Sequence, residues 1–280
     1  MYCKVTKVSI LFYLLGLRMI IKVLGKAVSI NTLLLMVSAL LLNVAVLNTA
    51  YAKPALIPAP PQVSASSYIL LDATSGEVII EHGSHEQLPP ASLTKMMTAY
   101  IVENEVAQGN IHLYDEVPIS VKAWKTGGSK MFVKEGSKVV LEDLLKGVII
   151  QSGNDASIAL AEYVAGSEEA FADVMNQQAV LLGMTNSNFL NATGLPSEGH
   201  HSTAADLAAL ALAIINDFPD QYPLYSEKYF TYNNIKQTNR NSLLWRDPSV
   251  DGLKTGHTDS AGFCLVSSAK KDNMRLIAVV

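Results

Sequence analysis

The chain has 280 residues, with 21 basic and 25 acidic side chains and a formal charge of −4. Its first 52 residues hold five of the basic residues (Lys4, Lys7, Arg18, Lys22, Lys26) and no acid, so beyond them 16 basic face 25 acidic residues, a charge of −9. That balance excludes the electrostatic footprint of a nucleic-acid or anionic-lipid binder, and with Cys3 in the leader the lone remaining Cys264 excludes an internal disulfide.

Residues 1–52 read as a signal peptide. Basic residues come first, the apolar run Leu33 to Leu47 follows, and "NTAYAKP" places Ala50 and Ala52 in a small-x-small cleavage pattern, with the cut after Ala52. An uncleaved anchor is the alternative, and Met19 offers a second start. Residues 53–66 form a Pro-rich tether. Residues 67–280 remain as one domain, long enough to bury a full core.

"SYILLDATSGEVIIEHGS" is two short apolar runs around a turn, a hairpin signal. "LPPASLTKMMTAYIVENEV" (88–106) reads as a helix burying one face, with proline holding its approach extended. Residues 107–140 are mixed, with strand-like pieces and a Gly-rich loop. Residues 141–150, 155–166 and 167–183 repeat apolar residues at helical spacing, with Gly166 and Gly183 as stops. Residues 201–217 read as a helix opened by a capping box, Thr203 with Asp206. "VDGLKTG", "AGFCLVSSA" and "MRLIAVV" are strand-like. The predicted class is α+β: an antiparallel sheet from both chain ends with flanking helices, and an all-helical lobe. The chain stops at Val280 inside a strand, which reads as the edge of a fragment.

Three polar clusters carry chemistry. Ser92 and Lys95 lie one helical turn apart, so hydroxyl and amine share a face. A serine becomes a nucleophile when a base takes its proton, and a lysine can be that base only when neutral. Its free pKa of roughly 10.4 must then drop by about 3 units, near 4 kcal/mol, through burial and a second cation. Ser-x-x-Lys recurs at Ser267/Lys270 and Ser268/Lys271, in a strand end and turn that favour solvated lysines. The Ser92 amide lies among the unpaired N–H groups of a helix start, where an oxyanion can bind. In "QSGNDAS", Ser152 suits a proton relay and Asn154 suits holding Lys95 and a substrate carbonyl; a helix N-cap is the plainer role for Asn154. In "DGLKTGHTD", Lys254 supplies a cation, Thr255 a hydroxyl and Gly256 room for a close backbone, on a strand edge able to pair with an extended peptide. A second Lys-Thr-Gly, at Lys125 to Gly127, sits in a loop and reads as a decoy.

Ser92-Leu93-Thr94-Lys95, Ser152-Gly153-Asn154 and Lys254-Thr255-Gly256, in this order and spacing, resemble the serine penicillin-recognising enzymes, most closely the low-molecular-mass D-alanyl-D-alanine carboxypeptidases. "NATGLPSEGHHSTAADLA", "TNRNSLLW" and "VDGLKTGHTDSAGF" extend the resemblance over about residues 60–280. It implies a hydrolase that trims the terminal D-alanine of peptidoglycan pentapeptides in cell-wall biogenesis, in the periplasm or on the outer face of the cytoplasmic membrane. Ser92 would attack the carbonyl, Lys95 take its proton, and Ser152 and Asn154 shuttle and position. Lys254 would help hold Lys95 neutral, Thr255 and Arg240 would meet the terminal carboxylate, and the amides of Ser92 and His257 would form the oxyanion hole. β-Lactams would stall as covalent inhibitors; no cofactor or metal is implied. The family normally adds further strand, a covering helix, a small β domain and a membrane anchor. Without that helix one sheet face should stay uncovered, and membrane association belongs to a full-length form.

Three alternatives stand beside this one. A D,D-endopeptidase would act on peptidoglycan cross-links. A class A β-lactamase would carry Ser-Asp-Asn and a glutamate in Glu-x-x-Leu-Asn, whereas Gly153 stands here and that segment is missing. A penicillin-recognising sensor or structural module would acylate without turnover. His200 and His201 are adjacent and point apart, a poor metal pair. His82, His85 and His112 read as surface residues, Cys264 as strand packing, and Met96 and Met97 as core.

Overall fold

The computed structural model describes residues 63–280, together with residues 35, 37 and 38. The signal peptide read at 1–52 and most of the tether at 53–66 lie outside the described residues. Among the described residues no helix is long and apolar enough to cross a membrane.

Five strands make one antiparallel sheet: β1 (Tyr68–Asp72), β2 (Val78–His82), β7 (Val250–Thr258), β8 (Gly262–Lys271) and β9 (Met274–Val279), in the order β2-β1-β9-β8-β7. The first hairpin thus meets the last strands, as the alternation of residues predicts, with Ile69 facing Val279 and Leu71 facing Ile277. Its turn is built by Asp72, whose side chain accepts the Thr74 amide at 2.7 Å while Gly76 takes φ +74°. Ile69, Val279, Val266 and Lys254 are successive register partners, so the lysine shares a row with core residues. On the opposite face Leu70, Ile80, Leu265, Leu276 and Ala278 are half-buried.

Between the sheet's two halves lie α1 (Lys95–Ala107), the small hairpin of β3 (Glu116–Pro118) and β4 (Lys138–Val140), α2 (Val121–Lys125), α3 (Leu141–Lys146), α4 (Asn154–Ala165), α5 (Glu168–Leu181) and α6 (Ala204–Asp217). A second hairpin, β5 (Tyr229–Tyr232) with β6 (Ile235–Thr238), and α7 (Leu243–Arg246) lead back to the sheet. α6 packs across β1, β8 and β9. Side chains cap three helices: Ser120 accepts from Ala123, Ser167 from Ala170 and Thr203 from Asp206.

Four expectations are corrected. α1 does not bury one face: every residue from Lys95 to Glu103 is buried, because α4, α5 and α6 enclose it. Its approach is bent rather than extended, with Pro90 helical (ψ −9°) and Ala91 at φ +47°, leading into a 3-10 turn over Ala91–Thr94. The helix expected over 141–150 stops at Lys146 and widens into a π turn over Gly147–Gln151. Gly147 lets the Met131 side chain pack against this turn, since a Cβ there would lie 2.4 Å from the Met131 sulfur. The capping box at Thr203 is half formed, because the Asp206 carboxylate turns away to the Asn186 amide and the Ser187 hydroxyl.

Candidate active site

The nucleophile candidate stands where the 3-10 turn passes into α1. Ser92 is half-buried and Lys95 is 1 % exposed. The Lys95 Nζ meets three oxygens: Ser92 Oγ at 3.2 Å, Asn154 Oδ1 at 2.7 Å and the Thr193 carbonyl at 2.5 Å. The Asn154 Nδ2 donates to the Gly127 carbonyl at 2.8 Å, which fixes Oδ1 on the lysine. Two of the three partners can only accept, while the hydroxyl can also donate. Nζ donates to all three oxygens, and once deprotonated it can turn its lone pair only to the serine proton. Burial, then the charges of Lys254 and Arg240, hold the Lys95 pKa well below its usual value.

The π turn ends with Ser152 at φ +64°, so this side chain leaves the helix and turns to the strand motif. Lys254 Nζ donates to Ser152 Oγ at 2.9 Å and to the Thr255 carbonyl at 3.0 Å. Lys254 is 3 % exposed, and burial with nearby Arg240 lowers its pKa to about 7. Arg240 itself is exposed and donates from Nε to the Gln151 carbonyl at 3.0 Å. The third contact closes the ring: a Cβ on Gly256 would lie 3.2 Å from Ser92 N, Pro90 O and Ala91 Cβ. The glycine therefore lets β7 run against the nucleophile's own amide. Thr255 is half-buried, and His257 is exposed with its ring 4.3 Å from that of Phe263.

The structure thus brings Asn154 to Lys95, Ser152 to Lys254 and Gly256 to the Ser92 amide, with Arg240 bonded beside Ser152 at Gln151 and Thr255 and His257 flanking Gly256 on β7. Asn154 does not cap α4 with its side chain; Gly153 holds that position. The other two Ser-x-x-Lys pairs fall away: Ser267 Oγ donates to the Gly252 carbonyl, Ser268 accepts from Arg275, and Lys270 and Lys271 are exposed.

A family of D-alanyl-D-alanine carboxypeptidases matches residues 55–280. The chain belongs to the D-alanyl-D-alanine carboxypeptidase family. It is 49% identical over 239 residues to the D-alanyl-D-alanine carboxypeptidase DacC of Escherichia coli (strain K12), covering 83% of this chain and 60% of that protein. Penicillin binding protein 5 of Haemophilus influenzae superposes with a TM-score of 0.78 at 46% identity, over 80% of this chain and 66% of the other. Penicillin-Binding Protein D2 of Listeria monocytogenes, in an ampicillin-bound form, superposes at 0.73 with 28% identity, over 80% of this chain and 91% of its own. The chain spans about three fifths of the length of the curated relatives it matches, 60% and 58% of the first two.

Within this carboxypeptidase fold several site-building groups escape a reading of side-chain types. The Thr193 carbonyl is presented by an Asx turn, in which Asn191 Oδ1 accepts from the Thr193 amide at 3.1 Å and the Gly194 amide at 2.7 Å. Gly194 is required there, since at φ +76° its Cβ would fall 1.8 Å from the Ala91 oxygen. The only signal was the glycine in "NATGL". Gly127, set aside with the second Lys-Thr-Gly, contributes its carbonyl to orienting Asn154. The buried Asp155 carboxylate accepts the amides of Met131, Phe132 and Val133, pinning the Gly-rich loop to α4. His200 ties this layer together: Nδ1 accepts from the Leu190 amide at 3.1 Å, so Nε2 carries the proton and donates to Thr94 Oγ1 at 2.9 Å. Burial, with a smaller push from His201, lowers its pKa to about 4.

Proposed function

We propose that the chain is a serine-type D-Ala-D-Ala carboxypeptidase that removes the terminal D-alanine of peptidoglycan stem peptides. The observation that carries this reading is the buried Lys95 amine, 3.2 Å from the Ser92 hydroxyl, the one of its three partners that has a proton to give. Lys95 takes that proton as Oγ attacks the carbonyl of the penultimate residue. The oxyanion settles between the Ser92 and His257 amides. The C–N bond then breaks, the departing D-alanine amine gains its proton through Ser152, and water hydrolyses the Ser92 ester. The substrate lies along β7, the outer strand of the sheet, with its carboxylate at Thr255 under the field of Lys254 and Arg240. β-Lactams acylate the same serine. The enzyme works on exported cell wall, outside the cytoplasmic membrane, in wall biogenesis and cell shape.

Mass spectrometry of the full chain with a pentapeptide ending in D-Ala-D-Ala tests the reaction. Free D-alanine supports it. Cleavage confined to cross-linked dimers would make the chain an endopeptidase, rapid penicillin turnover a β-lactamase, and a stable acyl form without peptide turnover a sensor. Ser92→Ala abolishes labelling by a fluorescent penicillin; labelling that persists removes Ser92 as nucleophile.

A further inference from the structure

Two backbone carbonyls set the cradle of Lys95. That of Thr193 meets Nζ directly, and that of Gly127 holds Asn154 so that Oδ1 faces the amine. Neither lies in a helix or strand. Gly127 follows α2, and Thr193 sits in the loop between α5 and α6. A loop carbonyl points where its neighbours are held, and both loops lead back to one ion pair, Glu168 with Lys122. Glu168 opens α5, where a carboxylate ordinarily answers the helix's own free amides. Its oxygens turn elsewhere: Oε1 accepts from the Ala192 amide at 3.2 Å, and Oε2 lies 3.0 Å from Lys122 Nζ. Ala192 immediately precedes Thr193.

Lys122 reaches the other carbonyl through its own backbone. Its carbonyl accepts from the Thr126 amide at 3.1 Å and from the Thr126 hydroxyl at 2.7 Å, closing α2 one residue before Gly127. The connections form a ring. They run from Lys122 to Thr126 and Gly127, on to Asn154 and Lys95, and back through Thr193 and Ala192 to Glu168. Lys95 stands at one pole of this ring and the ion pair at the other. The Glu168 side chain is 11% exposed against 45% for Lys122, so the carboxylate is the buried anchor and the ammonium its outer tether. Thr98 on α1 donates to the Ala192 carbonyl at 2.8 Å, so this residue is gripped by α1 on one side and by α5 on the other. We infer that Glu168 and Lys122 are a positioning pair for the reaction proposed above, a role that rests on Lys95 being its base: their ion pair holds two loops so that the Thr193 and Gly127 carbonyls keep the Lys95 amine aimed at Ser92. Lys122 has a second partner, Glu169, 2.9 Å away and exposed, where solvent leaves an ion pair little strength.

The test is stopped-flow acylation of the full chain by a chromogenic β-lactam across pH, with a thermal melt of each variant. E168A frees the Ala192 amide and lets the Thr193 carbonyl drift, so acylation should slow by about tenfold. A carbonyl that leaves Nζ no longer favours the ammonium, so the acid limb should move about one pH unit toward acid. Loss of stability alone would slow the reaction without moving that limb. E168Q keeps an oxygen for the amide and should recover most of the rate. K122M should slow acylation about threefold, and K122M/E168A should be no slower than E168A, because the lysine acts through the glutamate. E169Q, which weakens only the exposed pair, should leave the rate unchanged. A folded E168A with the native rate and limb, a slowed E168A whose limb stays in place, deficits that multiply in the double variant, or an E169Q as slow as E168A overturns the pair's role. A native chain that neither acylates nor releases D-alanine overturns the proposed reaction itself, and the pair's role with it.

Discussion

Asn154→Asp is the most direct probe of the uncharged lysine. The substitution keeps the side-chain shape but places a carboxylate where Oδ1 now sits, 2.7 Å from Lys95 Nζ. Both groups are buried. At an effective dielectric near 20, unit charges about 4 Å apart attract by about 4 kcal/mol. At about 1.4 kcal/mol per unit, this raises the Lys95 pKa by about 3 units. The sign is fixed: a carboxylate favours the ammonium, and the base form then appears only at higher pH. The acid limb of acylation by a chromogenic β-lactam should therefore move about 3 pH units alkaline, with rates below the new limb falling about tenfold per unit. Stopped-flow acylation across pH, with Tm measured at each point, separates this from unfolding; the lost Nδ2 bond to Gly127 costs about 1–3 kcal/mol. A folded variant whose acid limb stays in place, or moves to lower pH, would refute the assignment of Lys95 as the base.

Gly256→Ala should slow acylation by about one to two orders of magnitude with a loss of stability under about 2 kcal/mol, because its Cβ presses the Ser92 amide that receives the oxyanion; pre-steady-state acylation beside a denaturant melt checks both numbers. The folded state keeps His200 neutral to about pH 4 while the unfolded chain protonates it near 6.5, so its share of stability is complete above pH 6.5 and is lost as pH falls toward 4, about 3 kcal/mol in all. His200→Gln should flatten that segment of a stability–pH curve measured by urea melts. Ser167→Ala, which removes the cap of α5, should cost about 1 kcal/mol, read by a denaturant melt.

Much of this architecture is visible in the residues. Strand alternation at both ends of the chain predicts one sheet, and the three polar trios predict the pocket, because catalysis constrains side-chain type. Backbone groups carry no such mark. The Thr193 and Gly127 carbonyls are chemically the same as any others, and only the glycines beside them hint at close approach. The burial of α1 on all sides is hidden for a different reason: Lys95, Thr98 and Glu103 break the apolar pattern, yet each finds an internal partner, in Asn154, Ala192 and Tyr225. The close approach of Met131 to Gly147 is likewise a tertiary contact that local propensity does not show.

The pairing of β1 with β9 has a kinetic consequence. Ile69 and Val279 must find one another across nearly the whole folded chain, and β7 reaches that sheet only through β8 and β9. Closing so long a loop is entropically slow, and contacts of this range are late events in folding. The helix bearing Ser92 can coil early, but Lys254 joins it only when that ring of strands shuts. Nascent molecules should therefore acquire reactivity last, in a single step, after most of their helical content is already in place.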